Sequence, residues 1–163
     1  MTISIIAALD ENNAIGKNND LLCYISADLK RFKTLTTGHT ILMGRKTFES
    51  LPKGALPNRR NVVMTRDKNF KCNACEIVHT INEAFNICME AEYVFIIGGA
   101  QIYKLFIEHA DKLFLTQIHH KFDADTYFPE FDLSKWSVVK KEYFEPDEKN
   151  KFSFSFIDYD KKS

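Results

Sequence analysis

Tyr93-Val-Phe-Ile-Ile-Gly-Gly-Ala-Gln-Ile-Tyr-Lys-Leu-Phe106 is the stretch whose reading decides the fold. Tyr93 to Ile97 is an unbroken run of β-branched and aromatic residues, as in a strand buried on both faces at the centre of a parallel sheet. Gly98-Gly99 stops the run. Beyond it Ile102, Tyr103, Phe106 and Ile107 recur at helical spacing. Paired glycines between a central strand and a helix permit a sharp bend, and a ligand can reach the main chain there without meeting a Cβ. The first free N–H groups of the helix point to the same place, which favours phosphate. A tight turn with no ligand accounts for the segment equally well. It is not a G-x-G-x-x-G fingerprint, and no other stretch supplies one.

The same strand, glycine, helix-start order recurs at Thr40-Ile-Leu-Met43 followed by Gly44-Arg45-Lys46-Thr47. Cations at a helix start oppose the dipole, so an anion between them is the sensible occupant, with an ordinary solvated basic surface as the alternative. Thr2 to Leu9 is a further strand of the doubly buried kind, and its Ala7-Ala8 leave room for something flat. Asn61 to Thr65 is another short strand, with Arg66 at its carboxyl end and Arg59 just before it. Ligands of open α/β sheets collect at such strand ends. Lys135 to Phe144 and Lys151 to Tyr159 both alternate, which predicts an antiparallel hairpin at one edge. The expected fold is α/β, one domain over residues 1–163, with a central mixed, mainly parallel sheet of about eight strands flanked by about four helices.

A chain of 163 residues with 45% hydrophobic and 27% charged content suits one globular domain. Lysine plus arginine equals aspartate plus glutamate at 22 each, so no overall field selects nucleic acid or membrane. Any anion site is therefore local. Met1 to Leu9 lacks the basic flank and length of a signal peptide, and no apolar stretch approaches the ~20 residues of a membrane span. The cytoplasm is the expected compartment. Cys23, Cys72, Cys75 and Cys88 are sparse and read as free thiols. Cys72-Asn-Ala-Cys75 lacks a second pair, and His119-His120, as strand neighbours, point to opposite faces, so no metal site is expected.

Asp10 to Asp20 is polar, rich in asparagine and anchored by Ile15 alone, and reads as an irregular connection that serves as a candidate lid. The next helix is expected to start with Ser26 as N-cap and to bury a stripe of Ile25, Leu29, Phe32 and Leu35. Asp28 shares a face with Phe32. It either complements the helix dipole in solvent or faces apolar surroundings, where it must be paired or raised in pKa. Thr80 with Glu83 forms a capping box, Thr116 is a hydroxyl among Leu113, Leu115 and Ile118, and Phe122 to Pro129 is a connecting loop carrying Asp123 and Asp125.

Taken together in order, Ile6-Ala-Ala8 with Ala14-Ile-Gly16, Ala27 to Lys33, Met43 to Ser50, Leu56 to Arg59, Ile97 to Tyr103, Leu115-Thr116 and Asp125 to Pro129 resemble the dihydrofolate reductases of the bacterial type. The resemblance spans nearly the whole chain. It implies reduction of 7,8-dihydrofolate to tetrahydrofolate by hydride from NADPH, in support of one-carbon and thymidylate metabolism, by a monomer open to antifolate inhibitors. Asp28, Thr116 and Tyr103 match catalytic positions of the family, and Ile6, Ala8, Asp28, Phe32, Leu51, Arg59, Ile97 and Thr116 match its substrate pocket. For the cofactor, Ala8, Ile15 and Gly16 match the nicotinamide contacts, Gly44, Arg45, Lys46, Thr47 and the Gly98, Gly99, Ala100, Gln101, Ile102, Tyr103 turn match the pyrophosphate, ribose and ring contacts, and Thr65 and Arg66 match the 2′-phosphate site. Gly98-Gly99 resembles the family's cis peptide. Leu22-Cys23-Tyr24 departs from the usual Pro-Trp-polar sequence at the end of the lid. A reductase of other pterins or of the riboflavin pathway, and a non-catalytic dinucleotide-binding module, are the other readings; the first would not need Arg59, and the second would not need Asp28 and Thr116.

Overall fold

A computed structural model describes residues 1–163. In chain order its strands are β1 (Thr2–Leu9), β2 (Ala14–Lys17), β3 (Asp20–Leu21), β4 (Thr40–Gly44), β5 (Arg60–Met64), β6 (Glu76–Val78), β7 (Tyr93–Gly98), β8 (Lys112–Ile118), β9 (Thr126–Tyr127), β10 (Trp136–Phe144) and β11 (Phe154–Lys161). The helices are α1 (Ser26–Thr36), α2 (Arg45–Glu49), α3 (Ile81–Cys88) and α4 (Ala100–Phe106), with two single 3₁₀ turns. Eight strands form one sheet in the order β10-β11-β8-β1-β7-β4-β5-β6. Pairing is parallel from β8 across to β6, and the β10–β11 hairpin adds two antiparallel strands at the β8 edge. This is the mixed, mainly parallel sheet with a C-terminal hairpin and four helices that the apolar runs predict. No helix is long and apolar enough to cross a membrane.

The segment from Asp10 to Asp20 is not irregular. Its β2 and β3 join β9 in a separate three-stranded sheet, and β9 lies inside the expected Phe122 to Pro129 loop. Strands of four and two residues carry too little alternation to be read locally, and their partner lies more than a hundred residues away. Asn13, Asn18 and Asn19 make the turns with positive φ, which asparagine tolerates better than most residues. Asp10 anchors the segment from full burial: Oδ1 accepts from the N–H of Asn12 and Ala14 at 2.8 and 2.9 Å, and Oδ2 from that of Phe122 at 2.8 Å. Ala14, not Ile15, is the fully buried residue here, while Ile15 packs half-buried on the main core.

Three smaller expectations are corrected. Ser26 is the first residue inside α1 and caps nothing; Ile25 holds the cap position in an extended conformation with no side-chain bond. Thr80 does cap α3 by accepting from the Glu83 N–H, but the Glu83 carboxylate accepts from the N–H of His79, one residue before the cap. Cys72 and Cys75 are joined as a disulfide across a tight turn in which Ala74 has φ +58°, because the turn brings their Cα atoms to 5.9 Å, within bonding range. Only Cys23 and Cys88 are free.

Candidate active site

The two faces of the large sheet are packed differently, and the difference opens the site. One face carries a continuous cluster of 21 buried residues that includes Ile5, Leu42, Ile96, Phe106 and Leu113. On the other face the core is broken into Ile41, Met43, Val63 and Phe95 on one side and Ile25, Ile118 and Phe154 on the other. Between these islands Ile6, Ala8, Ile97 and Phe114 are only half-buried. Register places Ile6 beside Phe114 and Ala8 beside Thr116, and Ile97, one residue past the Ile5–Ile96 pair, faces the same way. This row is the floor of a cleft.

Helix α1 forms one wall, and of the expected stripe Ile25 and Leu35 pack on the sheet. Ile25 joins Ile118 and Phe154, Asp28 accepts from the Thr116 hydroxyl at 2.5 Å, Arg31 pairs with Asp158, and Leu35 packs on the Ile41 island. Positions 25, 28, 31 and 35 fall on one helical line. Thr36, one turn beyond Phe32, is the fully buried residue of α1, while Phe32 is half-buried and Leu29 is 44% exposed. Two polar contacts, with partners on β8 and β11, share this face with Ile25 and Leu35. Leu29, expected in the core from its spacing, is exposed instead.

Burial pushes the Asp28 carboxyl above its ordinary value, while the Thr116 hydrogen bond and the Arg31 charge pull it partly back. The folded-state pKa is raised, so the stability that Asp28 contributes is present in full below its unfolded value of 3.8 and is lost as pH rises from there through the folded value. Asp28→Asn is accordingly expected to be more stable than the parent at neutral pH, with the gain vanishing in acid; urea unfolding at the two pH values checks it, and a gain independent of pH would reject it.

The cofactor candidates gather at the carboxyl ends of β4 and β7. Gly98 has φ +132° and a cis bond to Gly99. A Cβ on Gly98 would lie 3.4 Å from both the Thr47 hydroxyl and the Tyr103 hydroxyl, and one on Gly44 would lie 3.1 Å from Ile102 Cγ1. The two glycine turns thus pack directly on each other. Gly44 and Gly99 cap α2 and α4 without any side-chain bond, so neither helix start is covered by a side-chain cap. Ala100 and Gln101 line the open side of the second turn, with Gln101 exposed. The Tyr103 hydroxyl donates to the Ile6 carbonyl at 2.8 Å, and burial drives its pKa far above the ordinary tyrosine value, so it keeps its proton.

Arg45 leans on Glu49 at 3.4 Å, and Lys46 is exposed beside Asn19 of the β2–β3 turn, with a hollow of about 200 Å³ between them. The tip of the β2–β3 turn therefore lies against α2. Its other side is held by Asp125, whose carboxylate accepts from the Asn18 N–H at 3.0 Å and whose N–H donates to the Gly16 carbonyl at 3.1 Å, and by the Lys17–Asp123 ion pair. Thr65 is buried and Arg66 exposed at the end of β5, where His79, which sequence reading did not single out, bonds the Thr65 carbonyl at 2.7 Å.

Arg59 donates to the Pro57 carbonyl and the Thr36 hydroxyl at 2.9 and 3.2 Å and lies 6.0 Å from the Phe32 ring, which brings it to the far end of the α1 wall. Leu51 packs on the Ile41 island beneath it. A separate hollow of about 380 Å³ opens at the amino ends of β4, β5 and β7, lined among others by His39, Arg59, Arg60 and Tyr93. Asp28 is not part of it, and its Arg60 is already paired with Glu76.

The family model for dihydrofolate reductase matches residues 2–161. Among curated proteins, the dihydrofolate reductase of Bacillus subtilis (strain 168) is 45% identical over 161 residues, covering 99% of this chain and 95% of its own. That of Staphylococcus haemolyticus is 44% identical over 161 residues, covering 99% and 96%. Among solved structures, the Enterococcus faecalis dihydrofolate reductase complexed with NADP(H) and RAB-propyl superposes with a TM-score of 0.94 at 33% identity, covering 99% of this chain and 97% of that one. With a cleft floored by β1, β7 and β8, an acid on its α1 wall and paired glycines opposite, the chain belongs to the dihydrofolate reductase family, and its reaction is the NADPH-dependent reduction of 7,8-dihydrofolate.

Proposed function

We propose that Asp28 is the residue that receives the pterin ring. The observation that carries this is its setting: a partly desolvated carboxylate on the cleft wall whose Oδ1 alone is engaged by the protein, through Thr116. A carboxylate so placed accepts two parallel hydrogen bonds from the amidine-like edge of the pterin, which fixes the ring face presented for reduction. Its charge also favours the pterin form that takes up a proton on the nitrogen next to the reduced carbon, with water as the carrier. Thr116 holds the carboxylate in plane. Ile6, Ala8, Ile97, Phe32, Leu51 and Leu29 wall the ring and the benzoyl group, and inhibitors of the folate type would occupy the same space.

The cofactor side fits a dinucleotide. NADPH supplies the hydride when bound. Gly44 to Thr47 and Gly98 to Ile102 offer uncapped N–H groups and basic side chains to its pyrophosphate, a surface that a Cβ on Gly98 would fill. Thr65 and Arg66 would take the 2′-phosphate, and Ala8, Ile15 and Gly16 the carboxamide. Tyr103 serves as a fixed wall beside the ring, since its proton is committed to Ile6. All these residues come from one chain, so we assign the active unit to the monomer and residues 1–163 to one domain.

Loss of reduced-nicotinamide absorbance on adding dihydrofolate to the protein with NADPH tests the reaction, and no loss would end this reading. For Arg59, a bidentate clamp on the substrate's glutamate α-carboxylate predicts that Arg59→Met raises KM for dihydrofolate by about 10- to 100-fold, the worth of a charge-assisted pair, while KM for NADPH stays the same. Equal changes in both would place Arg59 elsewhere.

A further inference from the structure

Two of the side chains that α1 turns to the sheet, Asp28 and Arg31, are charged, and the proposed reaction uses only the first. Arg31, one turn beyond Asp28, pairs with Asp158 of β11, with side-chain exposures of 16% and 20%. Its guanidinium lies 4.4 Å from the ring centre of Phe156 and 5.7 Å from that of Phe114. Register sets Phe156 directly beside Thr116, and Asp158 beside Phe114. The Arg31 anchor and the Asp28–Thr116 bond thus occupy adjacent positions of the same sheet face, gripped by adjacent turns of the same helix. A half-desolvated ion pair is a poor device for stability, since apolar side chains of the same shape do as well or better. Its use lies in where it holds the helix and in the charge it places there.

We propose that Arg31, clamped by Asp158 and the rings of Phe156 and Phe114, is a positioning residue that sets the height of α1 above β8 and places a fixed cation one helical turn from Asp28. This rests on the reading of Asp28 as the pterin-binding acid. The groups facing Asp28 are Thr116 from β8, Tyr103 from α4, Cys23 from the segment before α1, and Arg31 from its own helix. Arg31 in turn is faced by Asp158, which offsets part of its charge.

The charges give opposite signs for two substitutions. Arg31→Met removes the cation and leaves Asp158 unpaired, and both changes disfavour the Asp28 carboxylate. Asp158→Asn leaves the cation uncompensated and favours it. A purely mechanical anchor would be loosened in the same sense by either change. The test is the pH dependence of single-turnover hydride transfer from NADPH to dihydrofolate in the parent, Arg31→Met, Asp158→Asn and Asp28→Asn. The expected midpoint rises by about half to one pH unit in Arg31→Met and falls by a similar amount in Asp158→Asn, as screened charges at this range would produce. Arg31→Lys, which keeps the charge but not the planar stack, holds the parental midpoint while KM for dihydrofolate rises. The opposite signs of the two shifts are decisive, with Arg31→Gln taking the place of Arg31→Met should that variant fold poorly; midpoints that stay put or move the same way overturn the proposal. Persistence of the midpoint in Asp28→Asn would instead remove Asp28 as the titrating group, and the proposal with it.

Discussion

Asp28→Asn is expected to lose turnover of dihydrofolate at neutral pH by about 10²-fold or more, the typical contribution of a positioned acid–base group, while NADPH binds as in the parent. The amide keeps the shape of the carboxylate and one acceptor oxygen, so Thr116 still has a partner and α1 is not displaced. What it lacks is the negative charge that favours a proton on the pterin. Bulk acid supplies the missing driving force, so the deficit should narrow as pH falls, by up to about tenfold per unit where protonation limits the rate. Single-turnover hydride transfer across a pH series, with NADPH titrated separately by fluorescence, measures both quantities. Near-parental turnover at neutral pH would take Asp28 out of the reaction. Together with the expected gain in stability of the same variant, this makes the acid a site where folding free energy is given up for chemistry.

Gly98→Ala should produce the largest structural effect of a single methyl group. At φ +132° an L side chain is strained by about 1–3 kcal/mol wherever it points. Here it points at the Thr47 and Tyr103 hydroxyls, 3.4 Å away, and moving Tyr103 weakens its bond to the Ile6 carbonyl, worth about another 1 kcal/mol. The sum, about 2–4 kcal/mol, corresponds to a Tm lowered by roughly 5–15 °C in a domain of this size. With Thr47 in the proposed cofactor wall, NADPH affinity should fall as well, by about tenfold, for a loss of one hydrogen bond's worth of binding. Gly99→Ala is the comparison: Gly99 has φ −89° and its Cβ would meet Thr47 at an ordinary 3.5 Å, so the loss of stability should be smaller. Equal losses in the two variants would show that the backbone conformation of Gly98 is not the cause.

How far the candidate site could be read beforehand differs residue by residue. Gly44, Gly98 and Gly99 announce themselves because a glycine at the carboxyl end of an apolar run has few other uses. Asp28 was ambiguous from its helix position alone, since a first-turn acid in solvent looks the same on paper; only Thr116, 88 residues on, shows that it turns inward. Leu29 carries the apolar spacing of a core residue yet is 44% exposed. The Tyr103 hydroxyl is spent on Ile6, and no local pattern records that bond.

Local pattern alone was enough for β1, β4, β5, β7 and the terminal hairpin, because a strand buried on both faces is a continuous apolar run and one at an edge alternates residue by residue. The β2–β3–β9 sheet, the Cys72–Cys75 bridge and the face that α1 turns to the sheet were settled only by the folded chain. Arg31 and Asp158 are 127 residues apart, and the rotation of a helix about its axis depends on which distant groups can satisfy the charges it carries. Periodicity says that a helix has an inner side; the partners waiting on β8 and β11 determine which side that is.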